Sequence, residues 1–383
     1  MSTTTRTRST GVVRAAVGAA LACFVALNLA LLPLKSYFEK QHRTNLMQAD
    51  HSRSSASEVP RYDWSTGGEQ QKYWSYIPDA RKQRLVVVDG MSQQYAINDE
   101  QPGDRVISEI LDDSLRGKGA RVFGIAAPNL NHVELLLHLH ALVQDSATIP
   151  ELLVFGVCFD KMRSVEVRET MQQVLIAKPS LASVWQHSLD SLRNSAPDLA
   201  NQMQRTLEAS RTQAVTRPDQ RVEQSLVSSL ASAIPIVALR ADLRTFLFAQ
   251  VYLFRNWVFQ IKTSTKRPVL ADSYLVNQQA LISAVRLAKQ HHIRVLLYVI
   301  PLNLSADPPY VAEQYDAFKQ WLRKTAADEG TGFANFESAV PNESWGLLYG
   351  QPDFKHFKEA GHVATANALL PLIRTQLSDS TAR

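Results

Sequence analysis

The stretch that decides the fold is RLVVVDGMS, residues 84–92. Its three consecutive valines form a β-branched run, which is typical of a strand buried on both faces of a parallel sheet. Gly90 then permits a sharp turn of the backbone. Ser92 would follow the carboxyl end of the strand, where open α/β sheets bind their ligands. A hydroxyl held there among backbone N–H groups can attack a carbonyl carbon, although a strand, a turn and a solvated serine give the same pattern.

Strands and helices alternate on the carboxyl side of this stretch. The pattern predicts four further strands, at 120–126, 151–158, 293–300 and 332–336. It also predicts helices with apolar residues on one face, at 104–115, 131–143, 272–291 and 309–327, and a last helix from about 356 to 377. Strands that alternate with helices favour a parallel sheet with right-handed crossovers. We therefore expect an α/β fold with a five-stranded parallel sheet.

Residues 164–262 interrupt this alternation, and we predict that they form an all-helical insertion. Helical spacing recurs in four segments, at 165–176, 181–192, 199–210 and 222–233. Residues 239–261 are very apolar and aromatic, but they include four charged residues, which is too many for a comfortable membrane span. Three interpretations stay open for them: a core helix of the insertion, a helix lying on the bilayer surface, and a docking helix for another membrane protein.

The N-terminus carries an apolar segment, residues 15–34, which contains no charge. About twenty apolar residues span a bilayer core, and a short basic tail before a large domain is typical of a signal anchor. A cleaved signal peptide has a shorter apolar core, and a lipoprotein at Cys23 is disfavoured because the apolar run continues past it. We predict a single-pass inner-membrane protein with its domain facing the periplasm or exterior: cytoplasmic tail 1–14, transmembrane anchor 15–34, tether and aromatic segment 35–83, domain 84–378.

Composition limits the classes of function. The chain has 383 residues, of which 45% are apolar and 20% charged, which is ordinary for globular proteins. A net charge of +5 spread over many side chains does not indicate nucleic-acid binding. Cys23 and Cys158 provide no disulfide framework. No glycine-rich phosphate-binding motif occurs, so we expect neither a nucleotide nor another cofactor.

A second stretch that contains candidate catalytic residues is QPDFKHFKEAGH, residues 351–362. Asp353 and His356 stand three apart, in what the pattern predicts to be a loop that opens a helix, and their side chains could hydrogen-bond. The carboxylate would fix the tautomer of the imidazole and favour its protonated form, as a general base requires. The alternative interpretation is a helix cap, where aspartate is common.

Together these features resemble the SGNH/GDSL-type hydrolases. The chain is more narrowly similar to the membrane-anchored SGNH-like proteins that work beside membrane-bound O-acyltransferases, of the D-alanyl-lipoteichoic acid and alginate acetylation types. The similarity rests on the strand-end serine, the anchor, the helical insertion, the strand IRVLLYVIPLN and the Asp-x-x-His. It implies a three-layer fold, with Ser92 as nucleophile, His356 as base and Asp353 as orienting acid. It also implies an acyltransferase partner and a cell-envelope glycan or acyl donor as substrate.

Two features depart from that family's pattern. Met91 stands where the aspartate of the GDS motif is usual. The family also has Gly-x-Asn after the third strand, and its asparagine donates to the oxyanion, but residues 156–160 (GVCFD) contain no asparagine. Asn129 and Asn131, after the second strand, are the candidate donors instead. Asp160 could bind substrate or cap a turn.

Other polar groups are weaker candidates. His132, His138 and His140 lie on one predicted helix, but no acidic or cysteine partner completes a metal-ligand set, so we expect no metal. Asp89 stands close to Ser92 in sequence and could support it only indirectly.

The sequence leaves three functions open. The first is an anchored SGNH-like enzyme that transfers or hydrolyses O-acyl groups on a cell-envelope polysaccharide. The second is a catalytically inactive scaffold that holds a membrane-bound O-acyltransferase through the anchor and residues 239–261. The third is an ordinary esterase that is tethered to the membrane and needs no partner.

Overall fold

The computed structural model divides the chain into two units, one of residues 1–48 with 216–262, the other of residues 49–215 with 263–383. The strands and helices labelled below all belong to the second unit. The structure describes residues 17–19, 21–31, 33, 62–63, 83–127, 129–144, 149–168, 179–193, 197–214, 250–251, 254–255, 258–259, 264–348 and 351–378.

The second unit is built on a parallel sheet. In chain order its strands are β1 (Tyr62–Asp63), β2 (Arg84–Gly90), β3 (Ala120–Ala126), β4 (Leu152–Val157), β5 (Arg294–Val299) and β6 (Gly332–Asn335). Their order across the sheet is β1-β3-β2-β4-β5-β6, and every neighbouring pair is parallel. The five predicted strands are confirmed, and a two-residue strand that was not predicted adds a sixth at the edge beside β3.

The strand order creates the place for a site. From β2 the chain moves first to β3 on one side and later to β4 on the other side, so the direction of winding reverses at β2. The loop after β2 leads to α1 on one face of the sheet, whereas the loops after β3 and β4 lead to the other face, which leaves a crevice at the carboxyl end of β2. Ligands of open α/β sheets bind at such a crevice.

Helices cover both faces of the sheet. They are α1 (Ile107–Arg116), α2 (His132–Gln144), α3 (Pro179–Arg193), α4 (Pro197–Ala214), α5 (Ala271–Gln290), α6 (Ala312–Asp328) and α7 (Glu359–Ser378). Val86 and Val88 of β2 pack in a core with α1 and α7, whereas Val87 packs in a second core with α2, α5 and α6. Burial on both faces explains the unbroken β-branched run, because neither face of β2 meets water.

The predicted helices flanking the sheet are present, with ends shifted by a few residues. The exception is the last one, because α7 begins at Glu359 and not near 356. The residues before it form an antiparallel hairpin of β7 (Trp345–Leu348) and β8 (Gln351–Phe357). The prediction that Asp353 and His356 lie in a loop opening a helix is therefore wrong, since both lie within a strand.

The helical insertion is only partly described. Two of its predicted helices correspond to α3 and α4, but residues 164–168 are not helical, contrary to the prediction for 165–176. The predicted helix 222–233 and most of 239–261 lie outside the described residues, as do the tail 1–14 and nearly all of the tether 35–83. Residues 17–19, 21–31 and 33 are helical. Within the described ranges, no helix combines the length and the apolar character needed to cross a membrane.

Candidate active site

Ser92 begins a short turn of 3-10 helix, Ser92–Gln94, two residues beyond the end of β2. The chain bends back at once, because the carbonyl of Ser92 accepts the N–H of Ala96 at 2.8 Å. The first N–H groups of a helical turn have no partner within it. In the described part of the molecule the N–H of Ser92 has no acceptor, so it stays available to a ligand at the crevice.

The structure brings Ser92, His356 and Asp353 into one chain of hydrogen bonds. Ser92 Oγ lies 2.9 Å from His356 Nε2, although 264 positions separate the two residues. His356 Nδ1 lies 2.8 Å from Asp353 Oδ2. Because an ionised carboxylate only accepts, the imidazole carries its proton on Nδ1 and presents the lone pair of Nε2 to the hydroxyl.

The electrostatic state of Asp353 follows from its surroundings. The residue is 1% exposed, and burial by itself raises the pKa of a carboxyl group. The hydrogen bond from His356 and the electrostatic attraction of its ring oppose burial, and the backbone N–H groups of Lys355 and His356 also donate to Asp353 Oδ1. The net effect lowers the pKa of Asp353 below its ordinary 3.8, so the carboxylate stays charged at neutral pH.

Two amide side chains hold the hairpin against the sheet, Gln93 beyond the end of β2 and Asn303 beyond the end of β5. Gln93 Nε2 donates to the carbonyls of Pro301 at 3.0 Å and Lys355 at 2.7 Å. Asn303 Nδ2 donates to the carbonyl of Asp353 at 3.0 Å. Neither amide is predicted from the sequence, although Gln93 stands next to Ser92 and Asn303 ends the stretch IRVLLYVIPLN.

Gly90 has a different role from the predicted one. It is the last residue of β2 and is not among the described residues with positive φ, so no unusual turn requires a glycine there. A Cβ at Gly90 would instead lie 2.5 Å from Cγ of Gln94, whose amide donates to the hydroxyl of Tyr298. A Cβ at Gly156 would lie 2.7 Å from that same hydroxyl. Both glycines make room for buried side chains beneath Ser92.

The three predicted oxyanion or substrate residues have different surroundings. Asn131 is buried and begins α2, where its Oδ1 accepts the N–H of Glu134, and its amide donates to the carbonyl of Glu166 at 2.8 Å. One of the two amide N–H groups of Asn131 is therefore occupied. Asn129 Oδ1 and Asp160 Oδ2 both face the ammonium of Lys355, at 3.4 Å and 3.1 Å. Asn129 is exposed, and among the described residues no acceptor is shown for its amide N–H groups.

The remaining candidates have structural partners. His132 Nδ1 lies 3.1 Å from the carbonyl of Asn277, and His138 Nδ1 lies 3.2 Å from Asp89 Oδ2, so Asp89 contacts a helix of the core. Burial lowers the pKa of His132 to about 3. Among the described residues, no three histidine, cysteine or acidic side chains are grouped so that they could hold a metal ion.

Comparison with known proteins shows only a weak structural similarity to solved structures. No family model matches the chain, and no curated protein matches it. Thirteen chains of solved structures do match. They include a Bacteroides fragilis NCTC 9343 protein assigned as an acylhydrolase (12% identity, 82% of this chain, 99% of that chain, TM-score 0.39).

Two further matches are TesA and a fungal esterase. TesA shows 15% identity over 76% of this chain and 99% of its own, with a TM-score of 0.37. A carbohydrate esterase family 2 enzyme with its carbohydrate-binding domain, from Corynascus thermopiles (Myceliophthora fergusii), shows 10% identity over 77% and 67%, with a TM-score of 0.38. Scores this low assign no function, so any function must be inferred from the site itself.

Proposed function

We propose that the protein is a membrane-anchored serine esterase or O-acyl transferase of the SGNH type that acts on a cell-envelope polysaccharide. The single observation that carries the proposal is the chain of hydrogen bonds from Ser92 Oγ through His356 to Asp353. A hydroxyl, an imidazole and a buried carboxylate in this order are the elements of a nucleophile with its general base.

The reaction would proceed through an acyl-enzyme. Ser92 transfers its proton to His356 Nε2 while Oγ attacks the ester carbonyl, and the carbonyl oxygen becomes an oxyanion. The N–H of Ser92 and the amide of Asn129 are candidate donors to this oxygen. The tetrahedral intermediate expels the alcohol, which takes the proton from His356. Water or a sugar hydroxyl then loses its proton to His356 and attacks the acyl-enzyme. The second tetrahedral intermediate releases the acyl product, and Ser92 Oγ takes the proton back from His356.

The membrane and partner parts of the proposal rest on the sequence. Residues 15–34 contain no charge and are long enough to cross a bilayer, which supports a retained anchor with the domain on the outer side. The family resemblance supports a membrane-bound O-acyltransferase as partner. After sodium carbonate washing, the full-length protein should remain in the membrane pellet, and its complete release would contradict the anchor.

A catalytically inactive scaffold is the second candidate function. It is favoured by residues 156–160, which lack the asparagine of the resembled family, and by the hydrogen bond that ties the amide of Asn131 to the carbonyl of Glu166. A scaffold that recruits an acyltransferase needs no nucleophile, so the two candidates differ in the reactivity of Ser92.

Labelling with a fluorophosphonate probe and hydrolysis of p-nitrophenyl acetate separate these functions. The wild type should label at Ser92, and Ser92→Ala should lose labelling and at least about 10³-fold in kcat. Ser283→Ala, on α5, is the matched control and should behave as the wild type. Labelling that persists in Ser92→Ala, or an inert wild type, would exclude Ser92 as the nucleophile.

A further inference from the structure

The ammonium group of Lys355 lies across the carboxyl end of β2. Its Nζ is 3.1 Å from Asp160 Oδ2 and 3.4 Å from Asn129 Oδ1. Asp160 follows β4 and Asn129 follows β3, and these are the two strands that flank β2. Neighbouring strands lie about 4.8 Å apart, so a group that bridges the loops after β3 and β4 must lie above the strand between them. That strand is the one that Ser92 follows.

We propose that Lys355 is the charged donor of the oxyanion hole, and that its ammonium N–H stabilises the substrate carbonyl oxygen when Ser92 attacks. The inference rests on the proposed function and assigns the group that replaces the family's asparagine. An ammonium has three N–H donors, and the two acceptors found among the described residues, on Asp160 and Asn129, leave one of them for the substrate. No electron or proton moves to Lys355 in this step, because it only donates a hydrogen bond.

The surroundings keep this ammonium charged and fixed. The Lys355 side chain is 12% exposed, and a donor that is shielded from water stabilises a developing charge more strongly than a solvated one. Burial alone lowers the pKa of a lysine, but the negative charge and hydrogen bond of Asp160 outweigh burial, and the pKa of Lys355 is raised above 10.5. Asp160 thus acts as the positioning residue for Lys355.

Three other groups near the crevice fit this role less well than Lys355. Cys158 stands where the asparagine of the Gly-x-Asn motif is expected, but burial raises the pKa of its thiol to about 11, and a neutral thiol is a weak donor. Asp160 is a carboxylate and only accepts. Asn131 is buried at the start of a helix, and one of its two amide N–H groups donates to the carbonyl of Glu166.

Backbone hydrogen bonds also link Lys355 to Asp353 and to the turn that carries Ser92. The backbone N–H of Lys355 donates to Asp353 Oδ1. Its carbonyl accepts a hydrogen bond from Nε2 of Gln93, the residue next to Ser92. The general base and the charged donor are therefore consecutive residues of one strand. That strand is fastened to the nucleophile's own turn, which fixes the distance between the three groups.

The test is the steady-state hydrolysis of p-nitrophenyl acetate by the full-length protein. Lys355→Met should lower kcat about 10²-fold or more, as the loss of one oxyanion donor does, while KM changes less than threefold. Lys358→Met, three positions further along the same segment, removes an equal charge and should leave both constants unchanged. The affinity for phenylboronic acid, which forms a tetrahedral anion on the serine, should fall in Lys355→Met by a similar factor to kcat.

A double variant guards against a folding defect. Lys355→Met leaves Asp160 without its cation, whereas Lys355→Met with Asp160→Asn removes both charges and should melt within a few degrees of the wild type. If this double variant has wild-type kcat, or if KM rises and kcat does not fall, the inference is overturned. An active, labelled wild type with such a result overturns the inference alone. A wild type that neither labels at Ser92 nor hydrolyses the ester overturns the proposed function and the inference together.

Discussion

Asp353 is the residue that determines the protonation state of the site. It is almost completely buried, yet it holds a negative charge because the imidazole of His356 and two backbone N–H groups donate to it. A neutral side chain of the same shape would keep the packing but lose the charge. Its replacement therefore separates the positioning of His356 from the stabilisation of its protonated form.

We predict that Asp353→Asn lowers kcat for ester hydrolysis by about 10³–10⁴-fold, because an amide can donate to Nδ1 and so favours the wrong tautomer of His356. The residual rate should rise with pH as hydroxide replaces the general base. Asp99→Asn is the control, because Asp99 is exposed and asparagine suits its φ of 57°. Activity of Asp353→Asn within threefold of the wild type would contradict the role of the carboxylate.

Lys355, Gln93 and Asn303 show which residues a sequence leaves unidentified. Ser92, Asp353 and His356 could be proposed because a strand end and a short motif are local patterns. The hydrogen bonds from the Gln93 amide to the carbonyls of Pro301 and Lys355 join segments more than 200 positions apart, so no local sequence pattern indicates them. Lys355 stood inside the motif, but only the positions of Asn129 and Asp160 reveal where its ammonium lies.

Among the elements, the central strands were the most predictable. β2, β4 and β5 are buried along nearly their whole length, and such burial requires the apolar, β-branched runs that the sequence displays. The β7–β8 hairpin was missed for the opposite reason. Its pairing is stabilised from outside, because Asn98 Nδ2 donates to the carbonyl of Leu347 and the N–H of Asn98 donates to that of Phe357.

Gly346 makes the hairpin dependent on this outside contact. A Cβ at Gly346 would overlap the side chain of Asn98, which is 5% exposed and has little room to move. Because β7 pairs with β8, a displaced Asn98 would shift the strand that carries His356. The site and the hairpin should therefore respond together to one added methyl group.

We predict that Gly346→Ala lowers the melting temperature by several degrees, since overpacking a tight site costs about 1–3 kcal/mol, and lowers kcat/KM at least about tenfold. Gly117→Ala is the matched control, because among the described residues no atom beyond its chain neighbours lies within 4 Å of its added Cβ, and its φ of −69° suits alanine. Calorimetry and ester hydrolysis measure the two effects. A destabilised variant with full activity would show that the hairpin does not position His356.

For the molecule as a whole, the buried histidines of α2 set the response to acid. Burial lowers the pKa of His132 to about 3. Burial, followed by the positive charges of His187 and His291, lowers the pKa of His140 to about 4. Both imidazoles are therefore neutral in the folded protein over a range in which an unfolded chain, with an ordinary pKa of 6.5, binds protons.

This difference gives the sign of the pH dependence. Between pH 6.5 and about 4 the unfolded state binds more protons than the folded state, so the free energy of unfolding rises with pH and falls on acidification.

Replacing His140 by glutamine removes one of the two buried histidines that cause this dependence. We predict that urea unfolding at pH 7.0, 6.0, 5.0 and 4.5 shows a loss for the wild type that exceeds the loss for His140→Gln by about 2 kcal/mol. His292→Asn, at an exposed position with a φ of 59°, should follow the wild-type curve. Parallel curves for the wild type and His140→Gln would mean that His140 is protonated in the folded state and that another group governs acid unfolding.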